Sequence, residues 1–281
     1  MQELYNPKYL IELCQKYRII PSKKYGQNFL ISKKVIDDII ESANLKKTDT
    51  VIEVGPGFGV LTFALAEKVK KVVSFEIEKK MEGYWEENKL ENIEIIWGNV
   101  LNKFEDLKAK KYKVVANIPY QITSNLIRRF LETENKPSEM ILMVQKEVGE
   151  RICAKGACPS VAGKRRRGQM SILAVATQFY AEPKILFNVK RTKFFPEPKV
   201  DSVVIKLKIK NQKHKVDEKD FFRIVKAGFA SKRKTLANNL KSLKYKQEDL
   251  QDIFKKLNLN SKVRAQELSV EQWVELTKLL N

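Results

Sequence analysis

From Thr50 onward, short apolar runs alternate with longer stretches whose apolar positions recur every three or four residues. The first pattern marks buried strands and the second amphipathic helices. Strands are predicted over Val51–Gly55, Val72–Glu76, Ile93–Trp97, Tyr112–Asn117 and Met140–Val144. Helices are predicted between and after them, over Val60–Lys68, Glu78–Leu90, Ile122–Glu132 and Gln145–Ala154. Strand and helix alternating at this spacing give βαβ units, hence an α/β fold with a largely parallel sheet and helices on both faces. Two later β-rich runs, Lys184–Val189 and Val200–Ile209, complete the sheet. The second alternates only in part, as a more exposed edge does.

The pattern changes after Ile209. A polar stretch, Asn211-Gln212-Lys213-His214-Lys215, reads as a linker, and helical periodicity then covers Glu218–Ala230, Thr235–Leu240, Gln247–Leu257 and Ser269–Leu280. Ser269 with Gln272 three residues on is a capping box. The first 45 residues are also mostly helical, interrupted at Pro21 and at Tyr25 to Leu30. The chain is therefore expected to hold an α/β domain over residues 1–210, with a helical N-terminal extension, and a small all-helical domain over 211–281.

Composition narrows the class. A hydrophobic fraction of 43% is globular, and no apolar run reaches the roughly 18 residues of a membrane span. Met1 to Leu4 lacks the basic-then-apolar opening of an export signal, so a cytoplasmic protein without a membrane partner is expected. Three cysteines, Cys14, Cys153 and Cys158, are too few for a disulfide framework. With no second pair and no accompanying histidine they do not make a zinc site either, and no metal is expected.

Charge narrows the partner. Lys and Arg number 54 against 34 Asp and Glu, a net +20. A lysine-favouring codon bias spreads such an excess evenly, but here it is clustered, in Lys164-Arg165-Arg166-Arg167 and from Lys226 to Lys246 around Lys232-Arg233-Lys234. Clusters of this kind neutralise phosphates, with strong salt dependence. The single histidine, His214, lies in the linker stretch. That removes the Ser-His-Asp triad and the histidine metal cage together. Catalysis in this chain has to rest on positioning and electrostatics.

Two motifs carry chemistry. In Glu53-Val54-Gly55-Pro56-Gly57-Phe58-Gly59, three glycines lie where a strand becomes a helix, so that backbone can approach a ligand closely. Glu76 ends the next strand, 21 residues after Gly55. A carboxylate there accepts both ribose hydroxyls of an adenosine-containing cofactor, an arrangement that suits NAD as well as S-adenosylmethionine. Gly98-Asn99-Val100 follows the third strand, where the amide oxygen of Asn99 reaches an adenine amine; a plain Gly-Asn turn reads equally from the same residues.

The second motif, Asn117-Ile118-Pro119-Tyr120, ends the fourth strand. The Asn117 side-chain oxygen and the Ile118 carbonyl each accept a hydrogen bond from a target amine, Pro119 stiffens the turn, and Tyr120 offers a ring for a base to stack on. The exocyclic nitrogen of adenine is a poor nucleophile because its lone pair is delocalised. Two acceptors gripping its hydrogens favour a pyramidal nitrogen and aim the lone pair at an electrophilic methyl. Phe194-Phe195-Pro196 supplies a second aromatic element, in which Phe194 is expected to wall the other side of a flipped base and Phe195 to pack in the core.

In this order the motifs closely resemble those of the small-subunit ribosomal RNA adenine dimethyltransferase family, over nearly the whole chain after about residue 20. Gly26-Gln27-Asn28-Phe29-Leu30, Gln145-Lys146-Glu147-Val148, Phe194 to Ser202, Lys232-Arg233-Lys234-Thr235-Leu236 with Asn238-Asn239-Leu240, and Arg264 to Ser269 are also similar to family segments. The resemblance implies a Rossmann-like class I methyltransferase sheet and S-adenosylmethionine as cofactor. Gln27, Asn28, Leu30, Gly55, Gly57, Glu76, Ile77, Asn99, Val100 and Asn117 would hold it. It further implies that Asn117, Ile118, Pro119 and Tyr120 are catalytic, that Tyr120 and Phe194 stack on the target base, and that the basic helical domain with Lys232, Arg233 and Lys234 holds the RNA. Arg165, Arg166 and Arg167 are expected from their charge alone to contact RNA phosphate, and a solvated loop reads nearly as well. The implied activity is N6,N6-dimethylation of two adjacent adenosines in a hairpin loop near the 3′ end of small-subunit (16S) rRNA. It would act on a pre-30S particle, late in ribosome biogenesis; the sequence gives no oligomeric state, and a monomer is the default expectation.

Three departures stand out. Asn99 replaces the family's usual aspartate, Gln121 replaces a common asparagine, and an arginine-rich segment from Cys158 to Met170 replaces a short loop. Competing readings are a resistance methyltransferase of large-subunit rRNA, whose C-terminal domain lacks the Lys-Arg-Lys-Thr pattern, a DNA adenine methyltransferase, and a non-catalytic RNA-binding factor on the same scaffold.

Overall fold

The computed structural model describes residues 2–21, 27–104, 107–155, 170–211 and 214–281. Two compact units emerge, one of Met1–Gly149 with Lys184–Ile209 and one of Glu150–Pro183 with Lys210–Asn281.

The first unit opens with α1 (Pro7–Lys16), whose Asn6 caps the Lys8 N–H, followed by β1 (Phe29–Leu30) and α2 (Lys33–Ala43). The alternating array then runs β2 (Thr50–Val54), α3 (Val60–Ala66), β3 (Lys71–Glu76), α4 (Glu82–Asn88), β4 (Ile93–Trp97), α5 (Val100–Lys103), β5 (Lys113–Asn117), α6 (Thr123–Glu132) and β6 (Glu139–Gln145). Then come α7 (Lys146–Ile152), α8 (Ile172–Tyr180), β7 (Ala181–Val189), β8 (Phe194–Phe195) and β9 (Ser202–Ile209). The remaining helices are α9 (Glu218–Gly228), α10 (Leu236–Leu240), α11 (Gln247–Lys256) and α12 (Val270–Leu280).

Seven strands form one sheet in the order β4-β3-β2-β5-β6-β9-β7. The pairs β2–β3, β3–β4, β2–β5 and β5–β6 are parallel, and β9 is antiparallel to β6 with Met143 opposite Val204. The central strands are apolar on both faces, Val51, Ile52, Val114 and Val115 being fully buried, as a sheet covered by helices on both sides demands. The chain moves outward from β2 to β3 and β4, then returns to place β5 on the other side of β2. Such a reversal opens a crevice at the carboxyl ends of the two central strands, where ligands of open α/β sheets bind. Both chemistry-bearing motifs lie there, one after β2 and the other closing β5. A two-stranded ribbon, β1 with β8, pairs Phe29 with Phe195 and Leu30 with Phe194.

The expected boundary at residue 210 leaves out one segment of the helical unit. Residues 150–183 group with the C-terminal helices because α8 is apolar along most of its length and finds its partner in α9. The Phe179 ring stacks on Phe221 at 4.2 Å and 27°. No helix was expected over Ile172–Tyr180, since a continuous apolar run has no period to read. Conversely, Gln145 ends β6 and does not begin a helix.

Candidate cofactor and base site

The turn after β2 is built by backbone that only glycine adopts easily. Gly57 has φ +54° and Gly59 φ +83°, and a Cβ on Gly57 would lie 3.2 Å from the Phe29 ring. Both carbonyls of the turn are held by aromatic side chains of α4. Trp85 Nε1–H donates to Gly57 O (3.1 Å) and Tyr84 Oη–H donates to Phe58 O (2.8 Å). The Gly57 N–H donates to Glu76 Oε2 (3.2 Å), and the Glu78 N–H donates to Oε1 (2.8 Å). Glu76 is 4% exposed. Burial raises its carboxyl, and the backbone N–H donors oppose that rise.

Glu53 lies one strand away, 2% exposed in an otherwise apolar β2. Its Oε2 accepts the hydroxyls of Thr62 and Ser74, each at 2.7 Å. Burial pushes its carboxyl up to about 7, the two hydroxyls pull it down, and nearby Glu76 adds to the rise. An ionisable residue inside a buried strand is a sequence signal in its own right.

Gly98 donates its N–H to the Glu76 carbonyl (2.7 Å), which sets Asn99 at the rim of the crevice. The Asn99 Oδ1 accepts the Leu101 N–H (3.0 Å) and caps α5. Capping takes one lone pair of that oxygen, so its second lone pair and the amide NH2 both remain for a ligand.

At the end of β5, Asn117 Nδ2 donates to the Asn28 carbonyl (3.5 Å), leaving Oδ1 as the acceptor. Ile118 is buried and its N–H donates to Met143 O (3.2 Å). Tyr120 is half-buried, and its hydroxyl bonds Ser202 Oγ at 2.7 Å. Burial raises its phenol above the usual value, which keeps it neutral.

Gln27, Asn28, Leu30, Gly55, Gly57, Glu76, Ile77, Asn99, Val100, Asn117 and Pro119 all line one cleft, so the structure brings together residues from five separate segments. Glu53, Phe29 and Gln121 line it too. Among the described residues that line it there is no Lys, Arg or His. Phe194 requires a correction: its ring is 3% exposed and packed in the core, and Phe195 is the partly exposed one. Pairing with Leu30, itself buried, turns Phe194 inward.

Arg165, Arg166 and Arg167 lie outside the described residues. Lys232, Arg233 and Lys234 are all exposed in the helical unit, on the turn before α10. Buried Asn239 holds that turn by donating from Nδ2 to Gly228 O (2.6 Å) and Ser231 O (3.0 Å).

The sequence profile of the family described as ribosomal RNA adenine dimethylase matches residues 21–281. A protein named ribosomal RNA small subunit methyltransferase A from Fusobacterium nucleatum is 39% identical over 268 residues, covering 92% of this chain and 96% of its own. One of the same name from Clostridium botulinum is 38% identical over 273 residues, covering 95% and 96%. Among solved structures, a dimethyladenosine transferase from Plasmodium falciparum superposes with TM-score 0.70 at 26% identity, covering 88% of this chain and 95% of that one. The 23S rRNA methyltransferase ErmE shares the fold, with TM-score 0.68 at 24% identity over 90% and 99%. With its parallel sheet, its glycine turn and its Asn-Ile-Pro-Tyr strand end, this chain belongs to the ribosomal RNA adenine dimethylase family.

Proposed function

We propose that this enzyme transfers methyl groups from S-adenosylmethionine to N6 of two adjacent adenosines in a hairpin loop near the 3′ end of small-subunit rRNA. The product is N6,N6-dimethyladenosine. The observation that carries the reading is the charge of the cleft. In a chain of net +20, the cleft between the glycine turn and Asn117 is lined, among the described residues, by two carboxyl groups and no cation. A dinucleotide would set its pyrophosphate against those acids, whereas a sulfonium cofactor brings positive charge to them.

The residues fit that cofactor. Glu76 is placed to accept ribose hydroxyls, the glycine turn to lie against the amino-acid tail, and Asn99 with Val100 to meet the adenine. S-adenosylmethionine supplies the electrophilic methyl; the rest is done by the chain. Asn117 Oδ1 and the Ile118 carbonyl grip the hydrogens of the target amine, and the neutral Tyr120 ring offers a face to its base. No imidazole is needed, in keeping with a chain whose single histidine, His214, lies in the other unit.

Relatives at 38–39% identity that carry the small-subunit name favour the 16S substrate. We read the substrate particle as a pre-30S subunit and the enzyme as a cytoplasmic monomer. Among the described residues no helix is long and apolar enough to cross a membrane. The test supplies labelled S-adenosylmethionine with unmethylated small subunits and with unmethylated large-subunit RNA, and locates the product by mass spectrometry. Dimethyladenosine at two adjacent small-subunit positions is expected. Label on large-subunit RNA alone, or on neither, overturns the reading.

The exposed Lys232-Arg233-Lys234 turn is assigned to the RNA backbone. Replacing all three with glutamine should weaken RNA binding and reduce the slope of log affinity against log salt by roughly 2–3. An unchanged slope would place the docking surface elsewhere.

A further inference from the structure

The cleft holds one buried ionisable group that the transfer chemistry leaves unused. Glu53 faces Thr62 from α3 and Ser74 and Glu76 from β3. Among the described residues, the titratable group set against it is Glu76, another acid. The two carboxyls are satisfied differently. Glu76 accepts a backbone N–H on each oxygen, which favours its charged form. Glu53 takes both of its hydroxyl partners on Oε2, leaving Oε1 for the cleft it lines. Two buried carboxylates near one another, with no cation against them among the described residues, are mutually unfavourable, so the less well solvated one carries a proton. That one is Glu53, and its burial raises its carboxyl into the neutral range.

We infer that Glu53 is the proton-linked counter-charge of the cofactor cleft: it holds a proton while the cleft is empty and releases it to solvent when a cationic ligand enters. This rests on the cofactor reading above and deepens it. A cation near Glu53 stabilises its carboxylate, so ligand and proton compete. The site thereby discriminates a charged cofactor from a neutral nucleoside of similar shape. Glu53 acts here as a specificity residue; it touches no reacting atom.

Titration calorimetry on the full chain tests this, with S-adenosylmethionine and with methylthioadenosine, which lacks both the sulfonium and the amino-acid ammonium. Between pH 5.5 and 7.0 the ligand's own α-amino group stays protonated. Wild-type affinity for S-adenosylmethionine should rise about tenfold over that interval, with close to one proton released on binding at the acid end and about half a proton at pH 7.0, read from buffers of different ionisation enthalpy. Methylthioadenosine should bind with a flat profile, and E53Q should flatten the profile of S-adenosylmethionine. The inference is overturned if E53Q keeps the slope, or if wild type binds both ligands with the same pH dependence. The wild-type comparison decides even if E53Q does not fold. Absence of S-adenosylmethionine binding at either pH would remove the cofactor reading and this inference with it, a result distinct from binding that ignores pH.

Discussion

Asn117→Ala should slow methyl transfer roughly 10²–10³-fold while leaving RNA affinity within about twofold of wild type. Its Oδ1 is one of two acceptors at the end of β5, and it is fixed in direction because Nδ2 is held on the Asn28 carbonyl at 3.5 Å. On the proposed mechanism, removing it would leave the Ile118 carbonyl alone on the amine, and a single acceptor would resist a return of the nitrogen to planarity less than two do. A loss of that size corresponds to roughly 3–4 kcal/mol of transition-state stabilisation. The cofactor KM should rise only a few-fold, since Asn117 is one of many residues lining the cleft. Asn117→Asp keeps an oxygen but loses the donor to Asn28, and should recover part of the rate. Single-turnover transfer and filter binding on the same RNA separate the two effects. An equal fall in both would mean that Asn117 holds the substrate and does not activate it.

What the sequence made legible was periodic or punctuated. The strands of the sheet are apolar runs ended by glycine, asparagine or an acid, and β2, β3 and β5 can be read within a residue or two. The glycine turn and the Asn117–Tyr120 turn follow from the same punctuation, because φ above zero and a fixed proline leave a mark in residue type. What was not legible depends on partners distant in the chain. Which of Phe194 and Phe195 faces inward is set by pairing with Phe29 and Leu30, some 165 residues earlier. The helix Ile172–Tyr180 is apolar on most sides, and only its packing on α9 tells it from a strand. Asn99 was read for its acceptor, and the further use of that oxygen as the cap of α5 depends on backbone two residues on. Nothing in the sequence marks Tyr84 and Trp85, two aromatics in a short polar helix, as supports of the glycine turn. Their hydrogen bonds to the glycine turn exist only because α4 passes beside the end of β2.

That dependence of the turn on α4 makes Gly59→Ala a strongly damaging substitution. Gly59 sits at φ +83°, where any other L-residue costs roughly 1–2 kcal/mol. Its added Cβ would lie 2.6 Å from Phe63 Cε2 and 2.8 Å from Trp85 Cη2. Both rings are buried, so neither moves freely, and overpacking of this kind costs about 1–3 kcal/mol. The two terms together predict a destabilisation of roughly 2–5 kcal/mol, or a fall of roughly 4–20 °C in the melting of the α/β unit. Displacing the Trp85 ring also disturbs its bond to Gly57 O, so affinity for S-adenosylmethionine should drop by more than the stability loss explains. Gly83→Ala is the matched control. It lies in α4 without a positive φ, and its Cβ would meet nothing closer than the Tyr17 ring at 4.0 Å. Alanine there removes the flexibility of a helical glycine and should stabilise by up to about 1 kcal/mol. Thermal melts of the two variants, each with and without cofactor, give opposite signs if the turn is strained in the way described. A Gly59→Ala protein melting within a degree of wild type would mean that the ring cluster of Phe63 and Trp85 yields easily, and that α4 does not fix the turn.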